Sequence, residues 1–350
     1  MMNHARLMTV SLRVFLLPLT LFALVVPSLA ADEKPLKLIG SGASFPAPLY
    51  LRWFRDYYLA HPQVEVDYQS TSSAGGANDL LEGRVDFAGS DLKLTEEQAG
   101  RVAGGLRQVP LAAGGIVAIY NLDGVTDLTL SREALVGIFL GKVTHWSDPV
   151  IATTNPEAML PDLPITVVTR ADAGGTTYKF TRYLSALSDA FAETVGTTMK
   201  PNWPQSLKQR GGLIRGRGND GVATSVRAIP GSIGYVQYAF GFLPGISMAA
   251  LENRAGGIVA PGKAGFDAAL ASIGKDRSVE NMTDPAGDGV YPMVALSWLV
   301  LRHSYDDPAK LAALQDVIAY AVGPGQEVTE QLGYIRLPQA VIAYAHEQLQ

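Results

Sequence analysis

Short runs of β-branched and aromatic residues alternate along this chain with stretches of helical periodicity. That alternation limits the fold more than any other feature. Leu36–Ile39, Val64–Gln69, Val85–Ala88, Gly114–Tyr120, Ile165–Arg170, Ile233–Gln237 and Met293–Leu301 read as strands. Pro48–Leu59, Gly76–Glu82, Arg132–Leu140, Thr177–Leu187, Gly221–Ala228 and Pro308–Ala321 read as helices; in the first of these Leu49, Trp53, Phe54 and Tyr57 share one face. The strand–helix–strand rhythm predicts α/β layers with mostly parallel sheets. No repeat of fixed period and no low-complexity tract interrupts it. Two Pro/Gly-rich transitions, Gly104 to Gly115 and Pro285 to Pro292, read either as crossings between domains or as ordinary surface loops. If both are crossings, the middle of the chain forms one lobe, its two ends form the other, and a ligand would lie in the cleft between them.

The N-terminus carries an export signal. Arg6 and Arg13 precede an apolar run from Val14 to Val26, followed by Ser28, Leu29, Ala30 and Ala31. A basic region, an apolar core and a small-residue cleavage site predict a signal peptide over residues 1–30, cut between Ala30 and Ala31. The alternative is a membrane anchor, but the run would span only about 20 Å as a helix, short of the ~30 Å hydrocarbon core. The chain has no cysteine, which excludes disulfides, thiolate metal sites and a lipid-modified N-terminal cysteine. An exported chain without such an anchor is retained where a second membrane encloses it, which favours a Gram-negative periplasm. The formal charge of −5 becomes −7 once a segment with two arginines and no acid is removed. So acidic a chain argues against nucleic acid and against an anionic membrane surface. An anion could be held only by local dipoles and one or two placed cations.

Three strand-to-helix junctions carry the residues for that. Gly40-Ser41-Gly42-Ala43-Ser44-Phe45-Pro46 follows a strand and opens a helix, so backbone N–H groups of a first helical turn point outward and Ser44 adds a hydroxyl. Taken alone, it also fits a plain turn with a serine cap. Ser70-Thr71-Ser72-Ser73-Ala74-Gly75-Gly76 repeats the arrangement, or is a flexible polar loop. Thr169-Arg170-Ala171-Asp172-Ala173-Gly174-Gly175-Thr176-Thr177 places a guanidinium, two glycines and hydroxyls within a few residues. Arg170 can meet a tetrahedral oxyanion bidentately, and Asp172 could hold it in place; the alternative is a surface Arg–Asp pair. None of these is a P-loop or a dinucleotide fingerprint, because the Gly-Lys-hydroxyl step and the third glycine are missing. Asp91 ends the run Asp86-Phe87-Ala88-Gly89-Ser90-Asp91. An ionised carboxylate only accepts hydrogen bonds, so in an anion site it fits an anion that carries a proton. Hydrogen phosphate can donate to it; sulfate cannot. Asp91 could instead merely cap a turn.

In sequence these motifs resemble the PstS family of periplasmic phosphate-binding proteins. The resemblance is carried by residues 40–48, 72–76, 85–91 and 170–176, by Gly141-Lys142-Val143-Thr144-His145-Trp146, by Gly218-Asn219-Asp220-Gly221, and by Pro230 to Val236. It runs in order from about Leu38 to the C-terminus. It implies an α/β two-lobed periplasmic solute-binding fold (type II) that closes on its ligand, with residues 31–110 and 291–350 in one lobe and 111–290 in the other. It implies phosphate ligands Ser44, Phe45 (backbone amide), Ser73, Asp91, Arg170, Gly174, Gly175 and Thr176, with Asp172 orienting Arg170. It also implies a monomer that delivers inorganic phosphate to the permease subunits of an ABC transporter, without cofactor or metal. One position departs from the pattern: the family has a serine where this chain has Gly174, so a hydroxyl donor is lost while the N–H remains. Thr177 is a candidate replacement donor, and Gly174→Ser is expected to tighten binding. Ser70 stands where a glycine is usual.

Rival readings follow from the same residues. A phosphatase-like enzyme would also cradle phosphate, but it needs a metal set or an activated nucleophile. His61, His145, His303 and His346 are scattered singly, and neither Ser44 nor Ser73 has an adjacent base in the sequence. The same fold could bind sulfate, molybdate or a phosphate ester; Asp91 argues against the first two. A surface adhesin reusing the fold is the remaining rival.

Overall fold

The computed structural model describes residues 34–209, 211–272 and 282–349. The expected signal peptide and its cleavage site lie outside them. The strands, in chain order, are β1 (Leu36–Gly42), β2 (Val64–Ser70), β3 (Phe87–Ser90), β4 (Leu106–Asn121), β5 (Thr129–Leu130), β6 (Thr166–Arg170), β7 (Leu213–Gly216), β8 (Ser232–Gln237), β9 (Ser247–Met248), β10 (Ala250–Glu252), β11 (Ile258–Val259) and β12 (Val294–Arg302). The main sheet runs β2-β1-β3-β12-β4-β8-β6-β7, with β9 on β4, while β11-β10-β5 form a small separate sheet.

The parallel expectation holds for the two wings and fails in the centre. β2, β1 and β3 pair parallel, as do β8, β6 and β7. Between them β3–β12, β12–β4 and β4–β8 are antiparallel. The sixteen-residue β4 joins the wings: its residues 106–115 pair with β12 and 116–121 pair with β8. The supposed Gly104 to Gly115 transition is therefore mostly strand. Pro110 has no N–H to give a ladder, and the register accommodates it by a shift between Ser297 and Trp298 that skips Leu111. β12 is buried from Val294 to Leu301, so it reads as one apolar run broken by a single hydroxyl, Ser297.

The helices form for ordinary reasons and pack on this sheet. Helix Ala47–Ala60 starts at proline and buries Leu49, Tyr50, Trp53, Phe54 and Tyr57 along one stripe. Helix Ser73–Leu81 is capped by Ser72, whose Oγ accepts from the Gly75 N–H at 2.9 Å. It begins three residues earlier than the pattern predicts. Helix Gly175–Leu187 begins at Gly174 with no side-chain cap, and helix Gly218–Ala228 follows β7. Helices Lys263–Ala271 and Gln339–Glu347 add to those the sequence pattern marks. A Cβ on Gly76 would stand 2.4 Å from the Gly42 Cα, so only glycine lets helix Ser73–Leu81 lie this close to β1.

Every parallel strand that matters ends at the same place. The carboxyl ends of β1, β2, β3, β6 and β7 lead directly into residues 43–46, 71–73, 91, 170–176 and 217–219. In open α/β sheets this is the edge at which ligands are bound.

Candidate functional site

The structure gathers the candidate residues into one buried network. Ser44, Ser73, Asp91, Arg170 and Thr176 are each at most 6% exposed. Ser73 is one link between the wings. Its Oγ accepts the N–H of Asp91 at 3.2 Å and the N–H of Gly175 at 3.2 Å. A Cβ on Gly175 would lie 2.5 Å from the Asp91 Cβ and 2.6 Å from Ser73 Oγ, so the glycine is required by close approach.

Asp91 is an acidic side chain almost wholly removed from water. The hydroxyl of Ser297 donates to its Oδ1 at 2.8 Å, and the Ser73 hydroxyl stands 3.5 Å from Oδ2. Burial raises its pKa to about 6, and the Ser297 bond, the Arg170 and Lys179 charges and the Ser73 hydroxyl hold it down against that effect. At neutral pH it is an ionised, acceptor-only group.

Arg170 is fixed as the sequence suggests. Its Nε donates to Asp172 Oδ1 at 2.9 Å, and its Nη2 donates to Oδ2, a forked pair. The Gly218 N–H also donates to Asp172 Oδ1, at 2.9 Å. Burial pushes the Asp172 carboxyl up, but the Arg170 bond and charge and the Gly218 N–H outweigh it, so its pKa falls below the ordinary value. The Arg170 guanidinium lies directly over residue 174: a Cβ there would be 2.5 Å from Arg170 Cζ and Nη2. Gly174 therefore leaves room for the guanidinium. A serine at 174 would have to displace it, which opposes the expectation that restoring the hydroxyl tightens binding. Thr177 is engaged elsewhere, its hydroxyl 2.9 Å from the Tyr235 hydroxyl.

Ser44 and Thr176 come from opposite wings and meet through Asn219. The side-chain Nδ2 of Asn219 is 2.9 Å from Ser44 Oγ and 3.3 Å from Thr176 Oγ1. The Phe45 ring is fully buried against Tyr334, and the Tyr334 hydroxyl donates to the Phe45 carbonyl at 2.6 Å. That anchors the 43–46 loop from below and leaves only the Phe45 backbone for a ligand. Sequence reasoning missed Ser297 and Asn219. The signal for Ser297 was a hydroxyl isolated in an apolar strand. Asn219 stood inside a quoted motif, but nothing local revealed its partners. Among the described residues no three His, Cys, Asp or Glu side chains gather as a metal site, and no helix is long and apolar enough to cross a membrane.

Comparison with known proteins agrees with this arrangement. The PBP superfamily domain matches residues 29–324. The phosphate-binding protein PstS of Pasteurella multocida is 36% identical over 327 residues, covering 92% of each chain. The chain belongs to the PstS phosphate-binding protein family. PstS of Xylella fastidiosa is 35% identical over 322 residues, with 90% of this chain and 85% of that protein covered. Among solved structures, this PstS-family chain is similar to a high affinity periplasmic phosphate-binding protein bound with phosphate (TM-score 0.71, 22% identity, 90% and 93% of the two chains covered). It is also similar to the phosphate-binding protein from Stenotrophomonas maltophilia (TM-score 0.68, 21% identity, 90% and 94% covered). These share its two-lobed α/β fold.

Proposed function

We propose that this chain is the phosphate receptor of an ABC importer, binding inorganic phosphate at the network described above. The reading assigns Ser44, the Phe45 amide, Ser73, Asp91, Arg170, Gly174, Gly175 and Thr176 to the anion, with Asp172 holding Arg170. Residues 31–110 and 291–350 form one lobe and 111–290 the other; the change of partner along β4 supports a boundary in that strand. The protein works as a periplasmic monomer after cleavage near Ala30, and hands its ligand to permease subunits.

The observation that carries the ligand assignment is Asp91. A buried carboxylate sits between hydroxyls and within the field of Arg170. Among tetrahedral oxyanions it favours one that can donate a proton to it, and hydrogen phosphate does so. A fully ionised sulfate would place an acceptor against an acceptor, and mismatches of this kind cost several kcal/mol, on the order of 10⁴-fold.

A binding role also fits Ser73 better than a nucleophilic one. Both of its lone pairs accept backbone N–H bonds, so the oxygen has little left with which to attack phosphorus. The test is thermal shift with phosphate, sulfate and a phosphate monoester. A ligand of the folded state raises stability by RT ln(1 + [L]/Kd), so phosphate should raise the Tm at concentrations where the others do not. An equal response to the monoester, or its turnover, would overturn the assignment.

A further inference from the structure

Asn219 is fully buried in the first turn of helix Gly218–Ala228, and every polar group of its side chain is engaged. Its Oδ1 accepts the Gln237 backbone N–H at 3.0 Å. A backbone N–H can only donate, so the oxygen faces Gln237 and the NH2 faces Ser44 and Thr176. Ser44 Oγ receives two N–H groups from this one residue, the backbone N at 3.1 Å and Nδ2 at 2.9 Å. The second Nδ2 proton goes to Thr176 Oγ1, at 3.3 Å.

A hydroxyl has one proton and two lone pairs. With both lone pairs of Ser44 filled, its proton must be given to something other than Asn219. The Thr176 hydroxyl is biased in the same direction. Left to itself, each of these groups could accept as readily as donate.

We propose that Asn219 is a positioning residue that sets the Ser44 and Thr176 hydroxyls as hydrogen-bond donors, so that the site selects an acceptor-rich oxyanion. The inference rests on the reading that these hydroxyls meet phosphate. One amide thereby polarises a donor from each wing. The charged groups beside it are Asp172, bonded to the Gly218 N–H, Arg170, bonded to Asp172, and Arg217 and Asp220 at the start of its own helix.

Asn219→Asp is nearly isosteric and separates polarity from packing. One oxygen still accepts the Gln237 N–H; the other can only accept, and draws the two hydroxyl protons to itself. Phosphate Kd should rise about 1,000-fold against wild type near pH 8. That ratio should shrink toward about pH 5, because a protonated carboxyl donates again. Taking the ratio to wild type removes the ionisation of free phosphate, which is common to both proteins. Asn219→Ala should cost about tenfold at every pH, the loss of a hydrogen bond without reversal. Equal losses in the two variants, with no pH dependence in either ratio, would overturn the proposal. A second measurement needs neither substitution at Asn219 nor phosphate. In Ser44→Ala protein, one of the two Asn219 side-chain NH2 proton resonances should move and exchange faster while the other stays; no selective change would also overturn it. Wild-type protein that binds no phosphate would instead overturn the reading of the site, with the resonance test still deciding the polarity.

Discussion

Asp91→Asn should make the ligand-free protein more stable at neutral pH while impairing its recognition of phosphate. The magnitude follows from burial. Folding raises the Asp91 pKa from 3.8 to about 6. Well below pH 3.8 the carboxyl is protonated in the folded and unfolded chains alike, and its ionisation sets no penalty. Between there and about pH 6 the unfolded chain gives up the proton and the folded chain keeps it, so stability falls as pH rises. Above that, the folded chain holds a buried charge. At about 1.4 kcal/mol per pH unit, the loss is on the order of 3 kcal/mol. Asparagine cannot ionise, and its oxygen still accepts the Ser297 hydroxyl, so the variant escapes this loss. Urea unfolding in phosphate-free buffer from pH 4 to pH 8 should show a variant-minus-wild-type gap that grows by about 2 kcal/mol. Other carboxylates, Asp172 included, titrate in both proteins and cancel. A gap that stays flat across this range would refute the claim that Asp91 is the buried charge of the site. Adding phosphate should reverse the ranking if, as proposed, the charge retained at a stability cost is the one that meets the anion's proton.

Three further substitutions follow from the geometry. Gly174→Ser should weaken phosphate binding, because its Cβ would collide with the Arg170 guanidinium at 2.5 Å; tighter binding by calorimetry would show that the guanidinium yields freely. Gly175→Ala should lower affinity about tenfold to a hundredfold, since overpacking costs about 1–3 kcal/mol and its methyl would press on Asp91 and Ser73; an unchanged Kd would mean the contact relaxes at no cost. Arg170→Lys should lose at least about tenfold in phosphate affinity, because an ammonium cannot make the fork to Asp172 and an oxyanion together; a wild-type Kd would remove the fork from the account.

Much of the site was legible because its residues cluster locally. Each strand-to-helix junction announces itself by glycines and hydroxyls, and Asp91 stands out as an acid at a strand end. What the sequence could not convey is which distant groups complete the site. Ser297 reaches Asp91 across more than two hundred residues, from a strand whose register shifts to accommodate Pro110. Asn219 reaches Ser44 from the opposite wing. The antiparallel centre was hidden for a related reason. Pro110 looks like punctuation, yet it lies inside β4, whose first half the sequence pattern does not mark as strand and where tertiary pairing overrides local preference. The meaning of Gly174 was likewise invisible, since only the folded position of Arg170 shows what a side chain there would strike.

On the proposed reading, this PstS-family chain recognises its ligand by a proton. Equilibrium dialysis of radiolabelled phosphate near pH 8, with sulfate as competitor, tests it most directly. There phosphate is chiefly the dianion HPO₄²⁻, equal to sulfate in charge, close to it in size, and able to donate a proton that sulfate lacks. Asp91 should make that difference decisive, so phosphate should remain bound against about a 1,000-fold excess of sulfate. Displacement of phosphate by comparable concentrations of sulfate would contradict the account.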